Sequence, residues 1–416
     1  VTDPHYEGAG VTLFHGDCLD VLRELPDESV HAVVTDPPYN LTAGKRGGTG
    51  SASVNLDSPY GRSRISTGNG VGGFMGKGWD DYDSHPGGFQ GWCEEWSVEC
   101  LRILKPGGHL IAFGGSRTWH RLAAGIEDAG FDIRDSIAWL YGSGFPKSLD
   151  VGKALPEWQG WGTALKPAFE PIVVARKPLT GTVAANVLAH GTGALNINTT
   201  RVPGDNPTVA RRQGSTAHLQ KRTAAESQAA GKVESRTTPE RYREERPGEE
   251  LGRWPANVLL DETQAAELDR QAPDTGGSGP ASGPSLTGAT GASAAYGARN
   301  GVDSTPFYGG ERGGASRMFP TFRYEAKAPT SERPVVDGVA HPTVKPLELM
   351  QWLVRLVTPK GGTVLEPFAG SGTTVEACLR EGFDVIAIER EADYLPLIEK
   401  RIRKDHAQGL DFDWGD

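Results

Sequence analysis

Two blocks of alternating strand and helix patterns, residues 11–178 and 341–404, flank a middle stretch, 179–340, in which the alternation is lost. Repeated strand–helix alternation predicts an α/β fold with a mostly parallel sheet and helices on both faces. In the first block VTLFHGD (11–17), CLDVLRELPDES with apolar positions 18, 19, 21, 22 and 25, and VHAVVTD (30–36) read strand, helix, strand, one βαβ unit and hence a parallel pair. A loop over 40–85 precedes the helix FQGWCEEWSVECLRILKPGG, which Pro106 and Gly107 are expected to stop. The strand HLIAFGG (109–115), the helix RTWHRLAAGIEDAG and the strands FDIRDSIAWLYG and FEPIVVARKP (169–178) follow. In the second block KPLELMQWLVRLVTPKGG puts Leu347, Met350, Leu353, Val354 and Val357 on one helical face before Pro359 and Gly361 end it. GTVLEPFAG (362–370), a helix opening at SGTT, FDVIAIE (383–389) and YLPLIEKRIRK continue strand, helix, strand, helix.

Between the blocks only short apolar islands, GALNIN (193–198) and RWPANVLLDE (253–262), read as structured, while GGSGPASGPSLTGATGASAAYG (276–297) reads as a linker or a loop that orders on binding. Hydrophobic residues at 37% suffice for a core, but Gly 56 and Pro 29 require long irregular stretches. The net charge of -10 by itself predicts no affinity for a polyanion. Its distribution differs: residues 40–79 hold five Lys or Arg (Lys45, Arg46, Arg62, Arg64 and Lys77) against Asp57 alone, and 201–253 hold eleven against eight Asp or Glu, so two loop-rich segments are basic. Cys18, Cys93, Cys100 and Cys378 form no CxxC pair, and Cys93 with Cys100 has the i,i+7 spacing of a buried helix face, which argues for reduced thiols and against a zinc site. With no run near the roughly 20 apolar residues of a membrane span and no basic, apolar leader, a cytoplasmic protein without membrane contact is expected.

Two strand ends carry the chemistry. In EPFAGSGTT (366–374), Gly370 and Gly372 permit a tight turn and close approach of a ligand, although a plain strand-to-helix turn reads equally well from these residues alone. A second signal comes from Glu389, at the end of the next strand, where a carboxylate can accept from both ribose hydroxyls of a nucleoside cofactor. In TDPPY (35–39), Asp36 ends a strand where doubly wound folds bind ligands, and Pro37 and Pro38 fix φ and remove N–H donors. The resulting rim of acceptors, the Asp36 carboxylate and the Pro37 carbonyl, suits an exocyclic amine, with Tyr39 offering a face for stacking.

Taken together, DPPY (36–39), FAGSGTT (368–374) and HPTVKP (341–346) resemble the motifs of the amino-group DNA methyltransferases that use S-adenosylmethionine, and their order resembles the beta class. GSGFPKS (142–148), GTALKPAFEPIVVARKP (162–178), GALNINTTRV and RWPANVLLDE look like segments of phage- and prophage-type members. The resemblance implies a Rossmann-like doubly wound sheet with circularly permuted motif order. Residues 1–178 would be the catalytic half, 179–340 a target-recognition insert and 341–416 the cofactor half. It further implies site-specific methylation of adenine N6 in double-stranded DNA by direct attack of a flipped base, with no metal and no covalent intermediate. Asp36, Pro37, Pro38 and Tyr39 would be catalytic; Thr343, Lys345, Phe368, Gly370, Ser371, Gly372, Thr373 and Glu389 would bind S-adenosylmethionine; and Lys45, Arg46, Arg62 and Arg64 would contact DNA. Asp17 would accept from the cofactor's adenine or else merely cap the helix that begins at Cys18, and Lys345 reads alternatively as a solvated lysine. Cytosine N4 is the nearest alternative substrate, and an inactive DNA-binding protein or a small-molecule methyltransferase are the others. A homodimer and a cognate restriction nuclease are compatible partners.

Overall fold

The computed structural model describes residues 3–41, 80, 82, 85–142, 144, 148–204, 252–273, 313–322 and 333–409. The chain divides into two compact units, the first made of Val1–Thr200, Ala256–Gln264 and Pro320–Asp416, the second of Arg201–Pro255 and Ala265–Phe319. Lys45, Arg46, Arg62 and Arg64 lie outside the described residues.

In chain order the elements are β1 (Tyr6–Gly8), β2 (Val11–His15), α1 (Cys18–Glu24), β3 (Val30–Thr35), α2 (Gly88–Ile103), β4 (Leu104–Phe113), α3 (Trp119–Asp128), β5 (Asp132–Leu140), β6 (Phe169–Arg176) and α4 (Val183–His190). They continue with β7 (Val258–Asp261), α5 (Glu262–Gln271), β8 (Thr321–Phe322), β9 (Val335–Val336), β10 (Val339–Ala340), α6 (Leu347–Val357), β11 (Thr363–Glu366), α7 (Thr373–Glu381), β12 (Asp384–Glu389) and α8 (Leu395–Gly409).

In the first unit one sheet has the order β1-β2-β12-β11-β3-β4-β6-β5-β7-β8. From β2 to β4 every pairing is parallel, β6 runs antiparallel to both its neighbours, and β5, β7 and β8 are again parallel to one another. Burial on both faces explains the unbroken apolar runs: Val30, Ala32, Val33 and Val34 of β3 are all fully buried. On one face Cys18, Val21 and Leu22 of α1, Trp92, Trp96 and Cys100 of α2, and Leu122 and Ile126 of α3 pack on Val33, Leu110 and Leu365. The other face carries Leu353 and Val357 of α6, Val375 and Cys378 of α7, and Ile398 and Ile402 of α8 against Val34, Ile111 and Val364. The sheet is thus doubly wound, the helices of the N-terminal block covering one face and those of the C-terminal block the other. All four cysteines are free and buried, Cys93 and Cys100 on the same stripe of α2.

Three expectations from the sequence change here. β2 and β3 are not neighbours, because β12 and β11, from the other end of the chain, lie between them. Pro106 and Gly107 do not end α2, which stops at Ile103; they lie inside β4, where the register against β3 shifts between Val30 and Ala32. A bulge is where a strand accepts a residue without an N–H, so the proline marks an irregular strand and not a helix stop. The stretch beyond 178 also contributes to the sheet: β7 pairs in parallel with β5, and β8 with β7.

In the second unit the described residues are tied by polar side chains. Val202 and Arg253 bridge antiparallel, and the buried Arg253 guanidinium donates to the carbonyls of Pro203 (2.7 Å) and Arg317 (3.0 Å). Asp269 accepts from the backbone N–H and the hydroxyl of Ser316, both at 2.8 Å. Among the described residues no helix is long and apolar enough to cross a membrane.

Candidate active site

The strand order β2-β12-β11-β3 brings four carboxylates into one row at the carboxyl ends of adjacent parallel strands: Asp17 after β2, Glu389 at the end of β12, Glu366 at the end of β11 and Asp36 after β3. This is where open α/β sheets place ligands. All four line one cavity of about 1100 Å³, together with Pro37, Pro38, Tyr39, Thr343, Lys345, Phe368, Gly370, Ser371 and Thr373. Gly372 is not among the lining residues; it is the N-cap of α7.

The glycine turn has a steric reason. Gly370 has φ +54° and a Cβ there would fall 3.1 Å from His341 Nε2, while Gly372 has φ +79° and its Cβ would fall 3.1 Å from the Ile398 backbone. The left-handed backbone disfavours a side chain at both positions, and the close neighbours leave little room for one. The loop is tied from below by Arg401 of α8, whose Nε donates to the Ser371 carbonyl at 2.8 Å and whose guanidinium pairs with the buried Glu376. His341 bonds the backbone of Thr343 and packs edge-on against Tyr394.

At this end Glu389 accepts from the backbone N–H groups of Gly370 and Glu391, each at 2.7 Å. Burial pushes its carboxyl up to about 7, a rise those two N–H bonds oppose. Asp17 does cap α1, accepting from Leu19 N–H at 3.0 Å through Oδ1, and its other oxygen lies 3.8 Å from Arg390. The cap therefore leaves Oδ2 turned toward a charged neighbour within the cavity wall. Phe368 packs against both Trp92 and Trp96, with ring centroids 5.5 and 5.6 Å away, and Tyr82 stacks on Trp92 at 3.9 Å.

TDPPYN ends β3 as its prolines require, and the chain then turns at Asn40, whose φ of 53° is one that asparagine tolerates better than most residues. Asn40 Oδ1 accepts from Tyr82 N–H at 3.2 Å, and Thr118 donates to the Tyr39 carbonyl at 2.7 Å, so the turn is held from both sides. The Tyr39 hydroxyl donates to Asp36 Oδ1 at 2.8 Å, and Lys345 Nζ lies 3.0 Å from Asp36 Oδ2, 3.0 Å from Glu170 Oε2 and 3.0 Å from the Tyr39 oxygen. Three acceptors match the three N–H donors of an ammonium. Burial works against its charge, but the flanking Asp36 and Glu170 carboxylates outweigh that and hold Lys345 above the ordinary lysine range. It is thus a mostly enclosed cation paired with the DPPY carboxylate rather than a freely solvated side chain. Burial, and then the same two carboxylates, push the Tyr39 phenol well up.

Two participants escaped the sequence reading. Glu170 is the second residue of β6, and Glu366 is fully enclosed, accepting from the hydroxyls of Thr35 and Thr374 and from Phe368 N–H at 3.0 Å. Burial pushes Glu366 up to about 8, against the pull of those hydrogen bonds. A signal was present: Asp36-Pro37, Glu170-Pro171 and Glu366-Pro367 are all acid–proline pairs at strand ends, and all three acids line the cavity.

A family model described as DNA methylase matches residues 30–400. The type II methyltransferase M.HindIII of Haemophilus influenzae is 30% identical over 45% of this chain and 65% of its own length, and the type II methyltransferase M.BamHI of Bacillus amyloliquefaciens is 31% identical over 24% and 16%. The chain thus spans less than two thirds of the length of either relative. A solved structure of PvuII DNA methyltransferase (cytosine-N4-specific) aligns over 99% of this chain and 96% of that one, with 13% identity and a TM-score of 0.45.

Proposed function

We propose that this chain, which belongs to the DNA methylase family, transfers a methyl group from S-adenosylmethionine to the N6 amine of adenine at specific sites in double-stranded DNA. One observation carries the reading: a single cavity joins the glycine turn and Glu389 at one end to Asp36, Pro37 and Tyr39 at the other. A nucleoside cofactor and an amine acceptor can therefore meet in one cavity, where positioning and fixed charges would do the catalytic work.

The residues present fit S-adenosylmethionine. Glu389 would take the ribose hydroxyls, Asp17 Oδ2 the adenine amino group, and Gly370, Ser371, Thr373 and Thr343 would surround the methionine end, with Phe368 near the sulfur, while Gly372 would shape the turn from outside the cavity. When bound, the cofactor supplies an electrophilic methyl group. Asp36 and the Pro37 carbonyl would accept from the two N–H bonds of the amine, drawing its lone pair out of conjugation and aiming it. Lys345 would fix the Asp36 carboxylate, at 3.0 Å, so that this acceptor is held before the base arrives. Tyr39 would present its ring to the base while its hydroxyl remains anchored on Asp36. The basic residues Lys45, Arg46, Arg62 and Arg64 would hold the phosphate backbone, and the middle of the chain would read sequence. Incubating the protein with unmodified genomic DNA and labelled cofactor, followed by mass spectrometry of the nucleosides, tests the proposal. N6-methyladenine is the expected product; N4-methylcytosine would replace the substrate assignment, and an unlabelled digest would overturn the activity.

A further inference from the structure

We infer that Glu170 is a positioning residue that keeps the catalytic cluster at a net negative charge, leaving Asp36 free to balance the charge that methyl transfer creates. The inference rests on the methyltransferase reading and adds to it a residue outside DPPY, FAGSGTT and HPTVKP, within the segment 162–178.

The geometry is that of one cation shared by two carboxylates. Lys345 Nζ is 3.0 Å from Asp36 Oδ2 and 3.0 Å from Glu170 Oε2, with side-chain exposures of 11%, 25% and 23% respectively. The Tyr39 hydroxyl donates to Asp36 at 2.8 Å and lies 3.5 Å from Glu170, so the same phenol spans the two acids. With Lys345 protonated the group of three charges sums to -1. Were Glu170 absent, Lys345 and Asp36 would neutralise each other, and the amine would meet an ion pair instead of an anion.

That difference matters in the reacting state. As the substrate nitrogen forms its bond to the methyl carbon, the carbon–sulfur bond breaks with its electron pair remaining on sulfur, and positive charge passes to nitrogen. The nitrogen then sheds one proton, which Asp36 accepts, taking the cluster from -1 to neutral. A cluster that began neutral would have to become a net cation in a partly desolvated cavity wall, where a charge without a counter-charge is disfavoured. β6 supplies the second acid because it runs antiparallel to its neighbours, bringing its first residues, and not its last, to the cavity edge.

The test compares Glu170→Gln, which keeps shape and an oxygen acceptor but loses the charge, with Glu170→Asp, which keeps the charge on a shorter stem. Single-turnover methylation, cofactor affinity by calorimetry and DNA affinity by anisotropy are measured on the full chain. Removal of one preorganised charge interaction typically lowers kcat by about 10²–10³, and because Glu170 acts through Lys345 we expect Glu170→Gln to lose roughly ten- to a hundredfold in kcat. Both affinities should remain within about twofold, and Glu170→Asp should be faster than Glu170→Gln. A Gln variant at wild-type rate, an Asp variant slower than the Gln variant, or a rate loss matched by weaker cofactor binding would each overturn the charge role while leaving the methyltransferase reading intact. Absence of transfer by the unmodified protein would instead overturn that reading, and this inference with it.

Discussion

Replacing Glu389 by Gln separates cofactor binding from stability in a way the geometry specifies. Both carboxylate oxygens are engaged by backbone N–H groups, Gly370 on Oε2 and Glu391 on Oε1, each at 2.7 Å. An amide in the same place must set its NH₂ against one of those donors, leaving a buried N–H unsatisfied at about 1–3 kcal/mol. The substitution also removes a buried carboxylate whose pKa is pushed from 4.5 to about 7, a shift that costs the folded state roughly 3 kcal/mol at pH 8. These two effects offset each other, so Tm at pH 8 should stay within about 3 °C of the wild type. Binding has no such offset. A charged acceptor for the ribose hydroxyls is lost, at about 1.5–3 kcal/mol, which is about a ten- to 150-fold rise in Kd for S-adenosylmethionine by calorimetry. Because the carboxyl ionises near pH 7 and the hydroxyls favour its charged form, wild-type affinity should also tighten as pH rises from 6 to 8, and the Gln variant should lose that slope. A variant whose Kd at pH 8 matches the wild type, or whose pH slope persists, would refute the assignment of Glu389 to the cofactor.

Three further outcomes follow from the same cavity. Asp36→Asn turns an amide nitrogen toward either the Tyr39 hydroxyl or Lys345, and should slow labelled methyl transfer by about a thousandfold while cofactor affinity is kept; comparable loss of affinity would argue against a role confined to the amine. Glu366 has a folded-state pKa of about 8, above its ordinary 4.5, so its contribution to stability is fully present below about pH 4.5 and is lost as pH rises through 8. Urea melts should therefore show Glu366→Gln gaining on the wild type by roughly 4 kcal/mol between pH 5 and pH 9, and parallel curves would contradict the buried-acid account. Arg401→Met removes one cation from the buried Glu376 carboxylate, which keeps Arg380 at 2.7 Å, and frees the Ser371 carbonyl, so denaturant unfolding should record a loss of about 1–3 kcal/mol, where an unchanged midpoint would show that the pair does not hold the glycine turn.

Periodicity and turn chemistry made the elements legible in the sequence. An apolar run closed by two prolines could only be a buried strand with an abrupt end, and β3 stops at Thr35. The i,i+7 cysteines marked the inner stripe of α2 because helical repeat and burial are local properties. Where local rules compete, the reading slipped: Pro106 and Gly107 fit a helix stop as well as a strand bulge, and only the partner strand distinguishes the two.

The sequence by itself determined that strands would end at Asp36 and Glu389 and that a glycine turn would open a helix, because each of these follows from residues within one turn or strand. Tertiary structure decided which of those ends meet. Strand pairing depends on long-range packing, so nothing near β2 or β3 announces that β11 and β12 will come between them and complete the row of carboxylates. For the same reason Lys345 read as a solvated lysine or a cofactor ligand and Glu170 as an ordinary strand residue. Their charges acquire meaning only at 3.0 Å, where a fold that joins residues 36, 170 and 345 turns three separate ionisable side chains into one cluster.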